Sequence, residues 1–198
     1  MPPTIDPKPT VVPVPAHPED PFDLDFASLV EVTPAEELPE PEPDPEHEMN
    51  ALIGSRNLGV DGFHVVVARA RPLHAANKVV LVVDDDAPTA ELAAYHLRKA
   101  GYQAAVALTP HDAARHLSKL GPPALMILDV EMPQMGGIEF LQRIRHHKRL
   151  HDLPVILFTG HSGLEDIVRG LQAGADGYLA KPATATALLS AVKTILGE

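Results

Sequence analysis

Five short apolar runs, each followed by a stretch of helical periodicity, fill residues 78–198 and restrict the folds open to this chain. "KVVLVV" (78–83) is apolar without period-two alternation, the pattern of a strand covered on both faces. "YQAAVAL" (102–108), "ALMILD" (124–129), "PVILFT" (154–159) and "GYLA" (177–180) follow it. Asp86 and Pro88 start a helix that Gly101 ends, and Thr109 with Pro110 opens the next. Gly137, Phe140, Leu141 and Ile144 fall at helical spacing in a third helix, and Leu164, Ile167, Val168 and Leu171 in a fourth that ends at Ala173-Gly174. A last helix runs to about Leu196. Strand-helix alternation with short links predicts a doubly wound parallel sheet, right-handed crossovers and helices on both faces.

In such sheets ligands gather at the carboxyl ends of the strands, near the point where strand order reverses. Asp84, Asp85 and Asp86 follow the first run, Asp129 ends the third, Thr159 ends the fourth, and Lys181 follows the fifth. All are therefore expected on one rim. Carboxylates gathered there repel each other unless something positive sits between them. Mg2+ suits a site of one or two carboxylates, a carbonyl and water or phosphate oxygens, and Lys181 adds a second positive group. Such a rim can receive a phosphoryl group, with Asp129 as a nucleophile that forms an acyl phosphate. Asp86 reads equally well as a helix cap.

"VVLVVDDD", "ILDVEMPQMGG", "PVILFTG" and "GADGYLAKP", in that order and at those separations, resemble the receiver domain of bacterial two-component response regulators. The resemblance covers about Lys78 to Glu198 and implies a flavodoxin-like (βα)5 fold with strand order 2-1-3-4-5. It implies that Asp129 is the phosphoacceptor, that Asp85 binds Mg2+ directly, and that Asp84 acts at the metal largely through water. The backbone carbonyl of Glu131 would complete the protein ligands. Lys181 would contact the phosphoryl group, Thr159 would offer it a hydroxyl, and Tyr178 would be the aromatic that reorients with Thr159. Pro182 would follow a cis peptide, as in the family. The phosphoryl donor would be a histidine kinase or a histidine phosphotransfer protein, and catalysis would be limited to self-modification and slow self-hydrolysis. Phosphorylation would change the surface of the fourth helix, fifth strand and fifth helix, roughly 163–196, where a downstream protein or a second copy of the chain docks. Gly136 departs from the family, whose members commonly carry an acidic residue there, and is expected to loosen the loop without removing chemistry. Glu131 and His161 are expected at the entrance.

The first 50 residues differ in kind. They hold 13 of the 21 prolines and 13 of the 27 acidic side chains, with Lys8 as their one basic residue, so their net charge of −12 accounts for all of the chain's −11. Disorder is the expectation for 1–50, with a docking-motif composition in "DPFDLDFASLV" (20–30). Residues 51–77 read as a linker with room for local structure, because nothing obvious pairs with "GFHVVVARAR". The near-neutral remainder lacks the clustered cations of a nucleic-acid surface. The basic cluster "RIRHHKRLH" (143–151) reads as a helix end rather than an anion site. No cysteine is present, so disulfides and cysteine-ligated zinc are excluded. Neither a leader nor a membrane span is evident, which gives the cytoplasm as the expected address. With no output domain evident before Lys78 or after Leu196, output is expected through protein contact. A phosphatase that forms an aspartyl phosphate and a receiver-like interaction module without phosphorylation are the alternatives, and a flavin carrier is disfavoured because the acidic loop repels a flavin phosphate.

Overall fold

The five apolar runs become five parallel strands, and a sixth strand joins them from outside the repeat. The structure, a computed structural model, describes residue 29 and residues 45–65, 79–160 and 163–198. The expected disorder of 1–44, the docking-motif residues other than Leu29, the linker residues 66–77, and the place of His161 lie outside the described residues. In chain order the elements are α1 (Pro45–Val60), β1 (Phe63–Val65), β2 (Val79–Val83), α2 (Ala87–Lys99), β3 (Gln103–Ala107) and α3 (Pro110–Leu120). They continue with β4 (Leu125–Asp129), α4 (Gly137–His146), β5 (Val155–Thr159), α5 (Leu164–Gln172), β6 (Gly177–Ala180) and α6 (Ala185–Leu196).

The sheet order is β1-β6-β5-β4-β2-β3. Strands β2 to β6 pair in parallel and reproduce the 2-1-3-4-5 order of a flavodoxin-like sheet. Side chains alternate across it. Leu81, Val83, Met126, Leu128, Val155 and Leu157 join a core with α3, α4 and α5, whereas Val80, Val82, Leu125, Ile127, Ile156 and Phe158 join one with α2 and α6. Each fully buried Val, Leu or Ile contributes on the order of 2 kcal/mol, which is why runs of such residues commit to the sheet centre.

Capping follows from the residues named above. Asp86 accepts a hydrogen bond from the Thr89 amide at 3.0 Å and caps α2. Thr109 caps α3 through the Asp112 amide. At the end of α4, Arg145 donates to the carbonyls of Leu153 and Gly174 and pairs with Asp176 at 3.0 Å. The cation of the "RIRHHKRLH" cluster that matters most is thus a buried latch between α4 and the turn before β6. Arg145→Met is expected to lower unfolding free energy by about 3 kcal/mol, measured by urea denaturation, because it removes the cation from a nearly buried carboxylate, which keeps the Val155 amide as a donor, and the guanidinium donors from two carbonyls.

Residues 45–65 depart from the sequence expectation. A helix runs through 45–50, which the composition assigned to a disordered tail, and α1 with β1 supplies the local structure for which the linker reading of 51–77 left room. Pro45 opens α1, and Glu46 and Glu48 complement its first turn. Ala51 and Leu58 are buried on one side of the helix, while Met49, Leu52 and Val60 are exposed. Gly62, at φ +76°, turns the chain into β1. β1 does find a partner, the outer edge of β6, in antiparallel register Phe63↔Leu179, His64↔Tyr178 and Val65↔Gly177. Leu29 is buried within the same core as Ala51, Leu58 and Tyr178.

Candidate functional site

Strand order reverses between β2 and β4, and the carboxyl ends of these neighbours carry Asp84 and Asp129 side by side. Asp129 is the last residue of β4, held by pairing with Phe158 of β5. Asp84 follows β2, its amide bonded to the Ala107 carbonyl. Both are almost fully buried, at 0% and 2% exposure. Asp85 is exposed, yet carboxylate oxygens of Asp84, Asp85 and Asp129 all lie within 4.8 Å of one another.

Lys181 reaches in from the end of β6, after which the Lys181–Pro182 peptide is cis. Its Nζ lies 2.8 Å from Asp129 Oδ1 and 3.0 Å from Asp84 Oδ2, and 4.9 Å above the Phe158 ring. The Lys181 amide donates to the Thr159 carbonyl at 2.7 Å, which ties β6 to the buried end of β5. The Glu131 amide donates to Asp129 Oδ1 at 3.2 Å, and the Asp86 amide donates to Asp84 Oδ1 at 3.0 Å.

Two opposed effects set the charges. Burial pushes the Asp129 carboxyl above its usual range, and Asp84 adds to the push, while Lys181 and the Glu131 amide work against both. For Lys181, burial favours the neutral amine but is outweighed by Asp129 and Asp84, and the pKa rises. The pocket thus holds an ammonium between two carboxylates and remains rich in negative charge. Asp84 Oδ2 is buried and, beyond the ion pair, receives no aligned hydrogen bond. Three convergent carboxylates with such an oxygen fit a hard divalent cation.

Tyr178 lies deeper, on β6, 1% exposed, its hydroxyl donating to the Ile167 carbonyl of α5 at 2.6 Å. Burial raises its pKa, so it stays a neutral donor. The sequence reading missed why the ring fits: a Cβ at Gly170 would occupy the place of the phenol oxygen and stand 2.5 Å from Leu157 Cδ1. A glycine inside an otherwise amphipathic helix was the available signal. Asp86 stays apart from the cluster as the α2 cap.

The sequence model of the response regulator receiver domain matches residues 80–193, most of the described chain. This chain belongs to the response-regulator receiver family. Among relatives, it is 33% identical over 117 residues to the phosphate regulon transcriptional regulatory protein PhoB of Escherichia coli, covering 59% of this chain and 51% of PhoB. It is 36% identical over 124 residues to the transcriptional regulatory protein GltR of Pseudomonas aeruginosa, covering 63% and 51%. The chain therefore spans about half the length of these curated relatives. Among solved structures, a CheY-like receiver domain protein from Methanospirillum hungatei superposes with TM-score 0.56 at 30% identity, covering 61% of this chain and 94% of that one. The receiver domain of a signal transduction histidine kinase from Syntrophus aciditrophicus gives 0.55 at 37% identity, covering 60% and 89%. Receiver domains are signalling modules rather than conventional enzymes. Among the described residues, no helix is long and apolar enough to cross a membrane.

Proposed function

We propose that this receiver accepts a phosphoryl group on Asp129 from a histidine kinase or histidine phosphotransfer protein, in the cytoplasm, and passes the signal on by protein contact. The observation that carries this is the asymmetry of the Asp129 carboxylate. Oδ1 is the oxygen that accepts from both Lys181 and the Glu131 amide. Oδ2 is then the attacking atom. It forms the new O–P bond as the N–P bond of a phosphohistidine breaks and the imidazole takes the electron pair. Lys181 steadies the charge left on Oδ1 and afterwards contacts the phosphoryl oxygens. Asp85 directly, Asp84 largely through water, Asp129 and the Glu131 carbonyl would hold Mg2+, which supplies charge neutralisation for the transferring oxygens. Thr159 offers its hydroxyl to the phosphoryl group, and Tyr178 is the ring coupled to it, so that the face built from α5, β6 and α6 reports the state of Asp129 wherever no other element holds that ring in place.

The chain's net negative charge lies before residue 51, and the balanced remainder supports a protein partner rather than nucleic acid for the receiver. The transcriptional names of the relatives attach to whole proteins of which about half is matched.

Incubation with acetyl phosphate and Mg2+ is expected to add the mass of one phosphoryl group to the intact chain, and chelation of Mg2+ or Asp129→Asn to abolish the addition. A wild-type mass that never changes would favour an idle interaction module. Sustained hydrolysis of added phosphate esters would favour a phosphatase.

A further inference from the structure

In a five-stranded receiver sheet β6 would be an edge strand, leaving the flank of Tyr178 open to solvent. Here that flank is closed. His64 of β1 stands opposite Tyr178, so the two side chains are cross-strand neighbours on one face of the sheet. The Ala180 amide donates to the Gly62 carbonyl at 2.8 Å and extends the pairing past β1. On the opposite face Phe63 and Val65 pack against the core shared with α6.

Helix α1 seals the arrangement. A Cβ at Gly54 would lie 3.0 Å from His64 Cδ2 and 3.3 Å from Ile167 Cγ2, so the glycine lets α1 come down closely on β1 and α5 together. Asn57 Nδ2 donates to His64 Nδ1 at 3.2 Å and fixes the ring. His64 is 8% exposed, and burial lowers its pKa, so it packs as a neutral side chain. On its other side the Tyr178 hydroxyl is held at Ile167 in the slot opened by Gly170. For the ring to swing outward past the edge of β6, β1 must leave and Ala51 and Leu58 must give up their buried places.

We propose that α1 and β1 form an intramolecular clamp that confines Tyr178 to its buried position and occupies the α5-β6-α6 face. While the clamp is seated, neither a partner protein nor a second copy reaches that face. The inference rests on the reading of Tyr178 as the switch residue and adds the group that controls it. Coupling between the two is reciprocal: whatever favours the buried ring tightens the clamp, and a partner that draws α1 away frees the ring.

The test uses the full chain with fluorinated tyrosine, whose three tyrosines give three fluorine resonances, Tyr178→Phe assigning one. Two variants lift α1 without touching the phosphoryl site: Gly54→Leu forces a side chain between His64 and Ile167, and Ala51→Glu buries a charge beneath the helix. Wild type should show one buried Tyr178 signal with or without Mg2+ and beryllium fluoride. Either variant should raise a solvent-exposed signal at least about tenfold, the range of a minor state brought into view, together with faster hydrogen exchange in β6. The clamp is overturned if both variants lose protection in α1 yet keep only the buried signal. It is equally overturned if neither variant loosens α1. Beryllium fluoride with Mg2+ should return the ring of either variant to the buried position. If it does not while the clamp results hold, the clamp stands, and what fails is the link between Tyr178 and Asp129.

Discussion

Replacing Lys181 with methionine should cost the metal-free chain about 3 kcal/mol of unfolding free energy, the typical penalty for removing one partner of a buried ion pair. Lys181 Nζ is 2.8 Å from Asp129 and 3.0 Å from Asp84, and both carboxylates are almost fully buried. Methionine keeps the apolar stem beside Phe158 but leaves two buried acids facing each other with no cation between them. Mg2+ should then stabilise the variant more than it stabilises wild type, because a ligand that binds only the folded state adds to its stability and the variant has the greater unmet charge. Urea denaturation with and without Mg2+ reads both effects. A loss below about 1 kcal/mol, the range of an exposed ion pair, would show that the pair is solvated. An equal response of both chains to Mg2+ would show that the metal does not share the work of the ammonium.

Gly137→Ala should be worse, at about 4 kcal/mol or more, the range of substitutions that collide with backbone. A Cβ there would overlap the Asp129 carbonyl oxygen and stand 2.8 Å from its carbonyl carbon and 3.1 Å from Val130 Cα. None of these can give way: Asp129 is fixed in β4, and the Gly137 amide is itself bonded to the Val130 carbonyl at 2.9 Å. The strain lands on the residue that carries the proposed nucleophile, so phosphorylation should fall together with stability. Gly136→Ala is the control. Its Cβ would meet only the Val130 carbonyl oxygen, at an ordinary 3.6 Å, and its φ of −67° suits any residue. Melting temperatures of the two alanine variants should therefore differ widely although they are neighbours, and similar values would contradict the geometry.

The contrast between adjacent glycines marks where a sequence stops being legible. "PQMGG" announces a turn, but which glycine is pressed against the strand end depends on how α4 meets β4. The parallel sheet was readable because its central strands, β2, β4 and β5, are buried on both faces and say so in nearly every residue. The rim was readable because Asp84, Asp129 and Lys181 each sit one step from such a run. Burial within the aspartate triplet was not readable: Asp84 turns inward, Asp85 outward, and Asp86 caps α2. The N-terminal elements escaped for a different reason. α1 has apolar residues around its whole circumference and glycines at 54 and 59, which blur its periodicity. β1 is three residues long, too short to show alternation, and its pairing is decided by the edge of β6 more than 110 residues later in the chain.

The central claim is that a buried carboxylate at the end of β4 becomes an acyl phosphate. Reduction with borohydride converts an aspartyl phosphate to homoserine and leaves a free aspartate unchanged. After treatment with acetyl phosphate and Mg2+, peptide sequencing should find homoserine at position 129 and aspartate at 84, 85 and 86. Homoserine at one of those positions, or at none despite a bound phosphoryl group, would contradict the account.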